Sequence, residues 1–321
     1  MEVRRCLLKI GVGLATVALC GIARAQAPDH MRVAVGQCGS WDSSQVELGT
    51  RAGFYARHGI EIEARCVQGG LETQKAVISG GADVGIGVAT WDALGAFAKG
   101  APIRVIAGSA TGSADFWMVN ADSPLQTIKD ATRANTIAYS ADGSSTQLAV
   151  VGLIRELGLQ ARPIAAGGPV KTIALLLSGK LDIGWASPPL GFDLLDRGQV
   201  RIFARANDVP SLRAQTIRVN IANAESLKAH REVFVRFAQA FRETTDWMNS
   251  DPKALQMYAD YSRITLVYAK RLRDEFFSRA AVDPDSVEGL DELMAEAMQS
   301  RRMDKPLTPA ELAEFVQVPL K

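Results

Sequence analysis

Short apolar runs alternate with amphipathic stretches from residue 31 to residue 221, and the pattern turns wholly helical after residue 226. The first half predicts strands over 31–36, 60–67, 83–88 and 103–107, the second of them showing period-two alternation at Ile60, Ile62, Ala64 and Cys66. Helices are predicted between them over 43–58, 71–78 and 90–99; Gly59 and Gly100 stop the first and third, and Thr90 is the expected cap of the third. A strand over 116–120 reads as the passage into a second lobe. There, strands over 136–139, 162–165, 181–186 and 200–204 alternate with helices over 128–131, 147–157 and 170–177 and one beginning at Pro188 or Pro189. A strand over 216–221 returns to the first lobe. Strand–helix–strand alternation at this spacing predicts parallel sheets with right-handed crossovers. The C-terminal part predicts helices over 227–249, 253–261, 267–280, 287–299 and 309–315, the first striped by Phe234, Phe237, Ala238, Phe241 and Thr245.

One segment of this pattern occurs twice. Ser79-Gly80 and Asp83-Val84-Gly85 match Ser178-Gly179 and Asp182-Ile183-Gly184, an offset of 99 residues. In both copies a helix stops on Ser-Gly, the chain turns, and an Asp enters a short apolar strand. The offset is far too long for a solenoid repeat, so the pattern points to two related α/β lobes.

Composition bounds the rest. The chain of 321 residues is 47% hydrophobic, enough for two sizeable cores and against disorder. Residues 1–25 read as an export leader: a basic start at Arg4, Arg5 and Lys9, an apolar run over 10–22, and Ala23-Arg24-Ala25 before a cut at Gln26. The twin arginines fit the Tat route as well as Sec, and Leu19 spoils the lipidation signal at Cys20. Removing the leader takes Arg4, Arg5, Lys9 and Arg24 from 36 basic residues and Glu2 from 35 acidic ones, leaving a formal charge of −2. That balance points to neither nucleic acid nor a polybasic membrane patch. Cys38 and Cys66 remain, near the ends of neighbouring strands in an exported chain, and are read as a disulfide against the alternative of two buried thiols.

A catalytic constellation is hard to assemble. The three histidines, His30, His58 and His230, fall away from the strand ends. The chain has no nucleophile elbow, zincin helix, P-loop lysine, dinucleotide fingerprint or four-ligand Cys/His cluster, and no metal or cofactor is expected. What recurs is a set of small hydroxylated or glycine-rich turns at strand C-termini, each feeding a helix: Gly39-Ser40-Trp41, Gly69-Gly70, Ala89-Thr90-Trp91, the loop from Ser140 to Gly143-Ser144-Ser145-Thr146, and Ser187-Pro188. Ligands of open α/β sheets bind at that edge, and free N–H groups of helix starts suit an anionic oxygen. Trp41, Trp91 and Trp185 lie close by and favour a ligand with an organic body. Arg213, just before the return strand, is a candidate partner for a carboxylate or sulfonate. The expected ligand-binding set is therefore Ser40, Trp41, Gly70, Thr90, Trp91, Ser140, Gly143, Ser144, Ser145, Thr146, Trp185, Ser187 and Arg213.

Ser79-Gly-Gly-Ala-Asp83-Val-Gly-Ile-Gly87, Gly143-Ser144 opening a helix, and Ser178-Gly-Lys-Leu-Asp182-Ile-Gly184 together resemble the periplasmic solute-binding proteins of the nitrate/sulfonate/taurine ABC importer family, a group related to thiamine-pyrimidine synthase-like domains. The resemblance implies a periplasmic binding protein type II fold, two doubly wound α/β lobes joined by two crossings, with the helical C-terminal tail packed on lobe one. The boundaries are then 1–25 leader, 26–115 plus 222–321 lobe one, and 116–221 lobe two. It also implies a monomeric receptor that closes on a small organic anion and passes it to an ABC permease and its ATPase. A periplasmic sensing subunit and a pyrimidine-synthase-like enzyme are the alternatives. Ala186-Ser187-Pro188 stands where sulfonate-type members carry Trp-Asp-Pro, which turns the expected solute toward an aromatic or heterocyclic carboxylate.

Overall fold

In the computed structural model, residues 27–318 are described; the expected leader over 1–25 lies outside them. The elements run β1 (Asp29–Val35), α1 (Gln45–Arg51), α2 (Phe54–Arg57), β2 (Ile60–Cys66), α3 (Gly70–Ile78), β3 (Val84–Ala89), α4 (Thr90–Ala98), β4 (Ile103–Thr111) and β5 (Phe116–Asn120). The second lobe continues with β6 (Thr136–Tyr139), α5 (Ser145–Leu157), β7 (Arg162–Ala165), α6 (Pro169–Leu177), β8 (Gly184–Ala186), α7 (Phe192–Asp196) and β9 (Val200–Arg205). Then follow α8 (Pro210–Arg213), β10 (Thr216–Asn223), α9 (Ala224–Ala229), α10 (Arg231–Ser250), α11 (Pro252–Ser262), α12 (Leu266–Phe276), α13 (Leu290–Gln299) and α14 (Pro309–Phe315).

The two lobes share one strand order. The first sheet is β2-β1-β3-β10-β4. In the second lobe β7-β6 and β8-β5-β9 are joined at Ile183, the residue before β8, whose N–H donates to the Thr136 carbonyl (3.0 Å) and whose carbonyl accepts from Ala138 (2.9 Å). The order there is β7-β6-β8-β5-β9. Each sheet therefore takes in one strand from a crossing, and that strand runs antiparallel: β10 between β3 and β4, β5 between β8 and β9. This corrects the expectation of purely parallel sheets. Sequence alternation shows which segments are strands but not that a returning strand slots into the middle of a sheet. Strand β10 sits in the first sheet along its whole length, so the second crossing ends before Thr216, earlier than the boundary drawn at 221.

The repeated Asp has a structural job in both lobes. Asp83 accepts from the Arg32 backbone N–H (3.0 Å) and guanidinium and from the Ser226 hydroxyl (3.0 Å), pinning the entry of β3 to β1. Asp182 accepts from the Thr136 N–H (2.8 Å) and hydroxyl (2.7 Å), pinning the entry of β8 to β6. Burial by itself would raise the Asp83 carboxyl, but its hydrogen bonds from Arg32 and Ser226 outweigh that and hold it below the usual carboxylate range. Its contribution is therefore complete above the titration of an unfolded aspartate and is lost as pH falls through the lower folded value. Asp83→Ala is expected to cost about 2–3 kcal/mol at neutral pH, with the gap to the parent closing in acid. Urea titrations at two pH values check this, and a gap that stays constant into acid would count against it.

Several boundaries differ from the sequence pattern, each for a local reason. The helix expected over 43–58 is broken by Gly53, in the left-handed region at φ 77°. Pro188-Pro189 does not start a helix; α7 begins at Phe192 behind Gly191. His230 splits the long C-terminal helix into α9 and α10. The tail packs on lobe one, where Phe237 stacks on Tyr55 at 5.4 Å, and it also reaches lobe two. Tyr268 and Phe276 of α12 surround Phe192, the Tyr268 hydroxyl donates to Asp196 (2.6 Å), and Arg155 of α5 pairs with Glu296 of α13.

Candidate functional site

Matching strand orders put matching strand ends opposite each other, and a cavity of about 290 Å³ lies between them. Lobe one contributes Gly36 and Gln37 after β1, Val67–Gly69 between β2 and α3, Gly70 and Leu71 opening α3, and Gly87–Ala89 with Asp92 at the β3–α4 junction. Lobe two contributes Ser140, Ala141, Gly143 and Ser144 between β6 and α5, Ser145 and Thr146 opening α5, Gly167 and Gly168 before α6 with Pro169 opening it, and Trp185 on β8. Asp115, on the first crossing just before β5, and Arg218, on β10 of the first sheet, complete the lining.

The first turns of α3 and α5 bring Gly70, Leu71, Ser145 and Thr146 to the lining, and their N–H groups have no intrahelical acceptor; α6 reaches it only with Gly167, Gly168 and Pro169, the last of which has no N–H. Gly70 is needed there because a Cβ would come within 2.9 Å of the Gly87 carbonyl oxygen. Within the α5 turn, Ser144 caps the helix by accepting from the Gln147 N–H (3.1 Å), and the Thr146 hydroxyl accepts from the Ser140 N–H (2.9 Å) and bridges to the Ser140 and Ser144 hydroxyls. Those hydroxyls shape the loop while the N–H groups of Ser145 and Thr146 stay open. Trp185 supplies an apolar wall, its indole N–H tied to the Gly167 carbonyl at 3.1 Å.

Arg218 is the cation of the site. It is 4% exposed, with Nη2 3.2 Å from Asp42 Oδ2, Nη1 3.9 Å from Asp115 Oδ2 and Nη1 donating to Gln37 at 3.4 Å. Burial works against its charge, but Asp42 and Asp115 outweigh burial and push the guanidinium further into the charged form. Its Nε and Nη2 have no aligned hydrogen-bond acceptor, and Asp115 Oδ1 has no donor. Asp92, on the wall, is raised by burial against the pull of Arg302, which donates to it at 2.6 Å, and of Gln74 at 2.9 Å.

Seven of the residues expected from sequence lie on the cavity: Gly70, Ser140, Gly143, Ser144, Ser145, Thr146 and Trp185. The others lie elsewhere, each with a reason. Ser40 is buried and donates to Asp42 at 2.6 Å. Trp41 is fully buried, edge-on to Tyr258 at 4.9 Å in the core under the tail. Thr90 does not cap α4, whose cap is Ala89; its hydroxyl donates to the Thr216 carbonyl at 2.5 Å and ties α4 to β10. Ser187 is buried beyond β8, off the cavity lining. Arg213 ends α8 on the exposed surface, so the candidate anion partner is Arg218, five positions on. Cys38 and Cys66 are bridged, with Cα atoms 5.9 Å apart.

Trp91 has a different place from the one expected. Its ring is buried, Arg302 lies over it at 4.4 Å, and its Nε1–H donates across the lobes to the Gly143 carbonyl at 2.8 Å. Arg302 also reaches Gln147 of lobe two at 3.0 Å. Gly143, at φ 90°, has no room for a Cβ, which would lie 2.5 Å from Asp92 Oδ1. Together these contacts clasp the lobes beside the cavity. Trp91→Phe keeps the ring and removes the bond, and is expected to weaken solute binding about fivefold, a loss of roughly 1 kcal/mol. Titration calorimetry against the parent checks it, and an unchanged dissociation constant would remove Trp91 from the closed state.

The fold is shared with known proteins. The family model described as NMT1/THI5 like matches residues 44–255. No curated protein matches the sequence. Among solved structures, the alkanesulfonate-binding protein SsuA from Xanthomonas axonopodis pv. citri bound to MOPS is similar, with TM-score 0.71 and 18% identity over 92% of this chain and 100% of that one. The periplasmic aliphatic sulphonate-binding protein SsuA from Escherichia coli aligns with TM-score 0.70 and 17% identity, over 92% and 94% of the two chains. The periplasmic nitrate-binding protein NrtA from Synechocystis PCC 6803 aligns with TM-score 0.61 and 12% identity, over 90% and 85%. At these identities the likeness is one of fold, that of two-lobed periplasmic binding proteins.

Proposed function

The chain belongs to the NMT1/THI5-like family, and from that premise we propose that it is an extracytoplasmic solute receptor. It captures a small organic anion between the two lobes and hands it as a monomer to an ABC import permease and its ATPase. The observation that carries this reading is the cavity itself. Equivalent strand ends of two lobes face each other, the starts of α3 and α5 and Arg218 meet there, and the lining residues include no histidine, cysteine or lysine to serve as base or nucleophile. The solved relatives named for sulfonates and nitrate carry anions in their names, which suits N–H groups and a guanidinium. Delivery to the periplasm by the leader read over 1–25 fits a receptor and not a cytoplasmic enzyme.

The test is a thermal-shift screen of the purified mature chain against carboxylates, sulfonates and nitrate, followed by calorimetry and recovery of the bound compound. One solute class should raise the melting temperature and be recovered unchanged. Silence across all three classes would overturn the receptor reading; a chemically altered product would replace it with an enzymatic one.

A further inference from the structure

Resting on the receptor reading, we propose that the solute is amphoteric: an anionic group for Arg218 and, close to it in the same molecule, an N–H donor for Asp115. Arg218 and Asp115 are 4% and 1% exposed and line the same cavity. Each carries polar atoms without a hydrogen bond: Nε of Arg218, its Nη2, which has only the ion pair with Asp42, and Oδ1 of Asp115. Buried charged groups left unsatisfied are costly, and natural sites keep them for a ligand or a bound water. Their neighbours do not fill the need. Asp42 is occupied on both oxygens, accepting from Ser40 on Oδ1 and facing Arg218 with Oδ2. Asp115 uses only Oδ2, which accepts from the Ser113 hydroxyl at 2.9 Å.

The charges exclude a bare anion. An inorganic ion or an unsubstituted carboxylate on Arg218 would sit beside the Asp115 carboxylate, whose Oδ2 lies 3.9 Å from Arg218 Nη1. Like charges that close repel strongly in a buried site. A solute that turns an N–H toward Asp115 and an acid oxygen toward Arg218 converts that repulsion into two charge-assisted bonds. The same 3.9 Å separation requires donor and acid to be near neighbours in the solute, as in a 2-aminocarboxylate. Trp185 with Val67, Leu71 and Val88 leaves an apolar wall for the remainder of the molecule.

Matched probes test this on the unmodified mature chain by calorimetry: 2-aminobenzoate against benzoate, phenylalanine against 3-phenylpropionate, and taurine against ethanesulfonate. At least one amino member is expected to bind about tenfold or more tighter than its deaminated partner, because a site built to bond an N–H rejects the analogue lacking it. Asp115→Asn should reduce that preference to roughly threefold or less while sparing the deaminated partner, and Arg218→Lys should weaken both members. Should Arg218→Lys fail to fold, the parent comparison and Asp115→Asn decide the matter alone. Deaminated members binding as well as amino ones, or a preference unmoved by Asp115→Asn, would overturn the proposal and leave the receptor reading standing, as would nitrate or ethanesulfonate binding while every amino probe is silent. Silence of every probe, nitrate included, would overturn the receptor reading and this proposal together.

Discussion

Arg218→Met is expected to lower the unfolding free energy by about 3–5 kcal/mol, the cost of leaving a buried countercharge unpaired. Its side chain is 5% exposed, and those of Asp42 and Asp115 are 3% and 1% exposed. Methionine fills a similar volume, so little of the loss would come from a cavity; most would come from two carboxylates that no longer have a cation. Adding Asp42→Asn and Asp115→Asn to the same variant removes that charge and should recover much of the loss, although hydrogen bonds from Ser40 and Ser113 would be rearranged. Urea denaturation of parent, single and triple variants measures this. A single variant within about 1 kcal/mol of the parent would show that the cluster contributes little to folding, and a triple variant no better than the single would show that charge is not the reason.

The importance of Arg218 was illegible in sequence for a physical reason. It sits in Thr216-Ile217-Arg218-Val219-Asn220-Ile221, where a lone charge in an apolar run reads as an edge or solvent-facing position. Its partners, Asp42 and Asp115, come from distant parts of the chain, and only insertion of β10 into the middle of the first sheet brings them together. Arg213 attracted notice because it lies beside a predicted crossing, but a short helix turns it to solvent. The same limit applies to the tryptophans. Composition and spacing placed Trp41, Trp91 and Trp185 near strand ends, yet which face of a turn looks into the cavity depends on what packs behind it: Tyr258 for Trp41, Arg302 for Trp91.

What could be read was local or repeated. The Ser-Gly stop followed by Asp marks the same junction in both lobes, because both helices end on a left-handed glycine and the next strand is fastened to the first one. Gly80 and Gly179 adopt φ of 71° and 70°, and both Asp residues bond a backbone N–H of the opening strand. The glycine-rich turns at Gly70 and at Gly143–Thr146 were legible on the same footing, since a helix start at a strand end is a local signal with a fixed orientation to the sheet. The second reach of the tail, onto lobe two, was not, because Phe192 and Asp196 offer α12 an apolar and an acidic contact that no periodicity advertises.

Loss of the Cys38–Cys66 bridge is expected to be the other large effect, and to act on stability and binding together. The bridge closes a loop with a sequence separation of 28, worth about 3–4 kcal/mol on the chain-entropy account. Its position links stability to the site: Gln37, next to one half-cystine, and Val67, next to the other, both line the cavity, and Gly69–Gly70 beyond Val67 opens α3. Both half-cystines are exposed, so a soluble reductant can reach them. Cys38→Ser with Cys66→Ser should lower the unfolding free energy by the stated amount and weaken solute binding several-fold, because the loops that present Arg218's neighbour Gln37 and the α3 start would be joined only by backbone bonds such as Gly69 N–H to the Gly36 carbonyl (2.8 Å). Dithiothreitol should reproduce both effects in the parent and neither in the double variant. Stability lost with affinity unchanged would show that the bridge braces the lobe without ordering the site; affinity and stability both unchanged would show that strand pairing between β1 and β2 already holds the two loops.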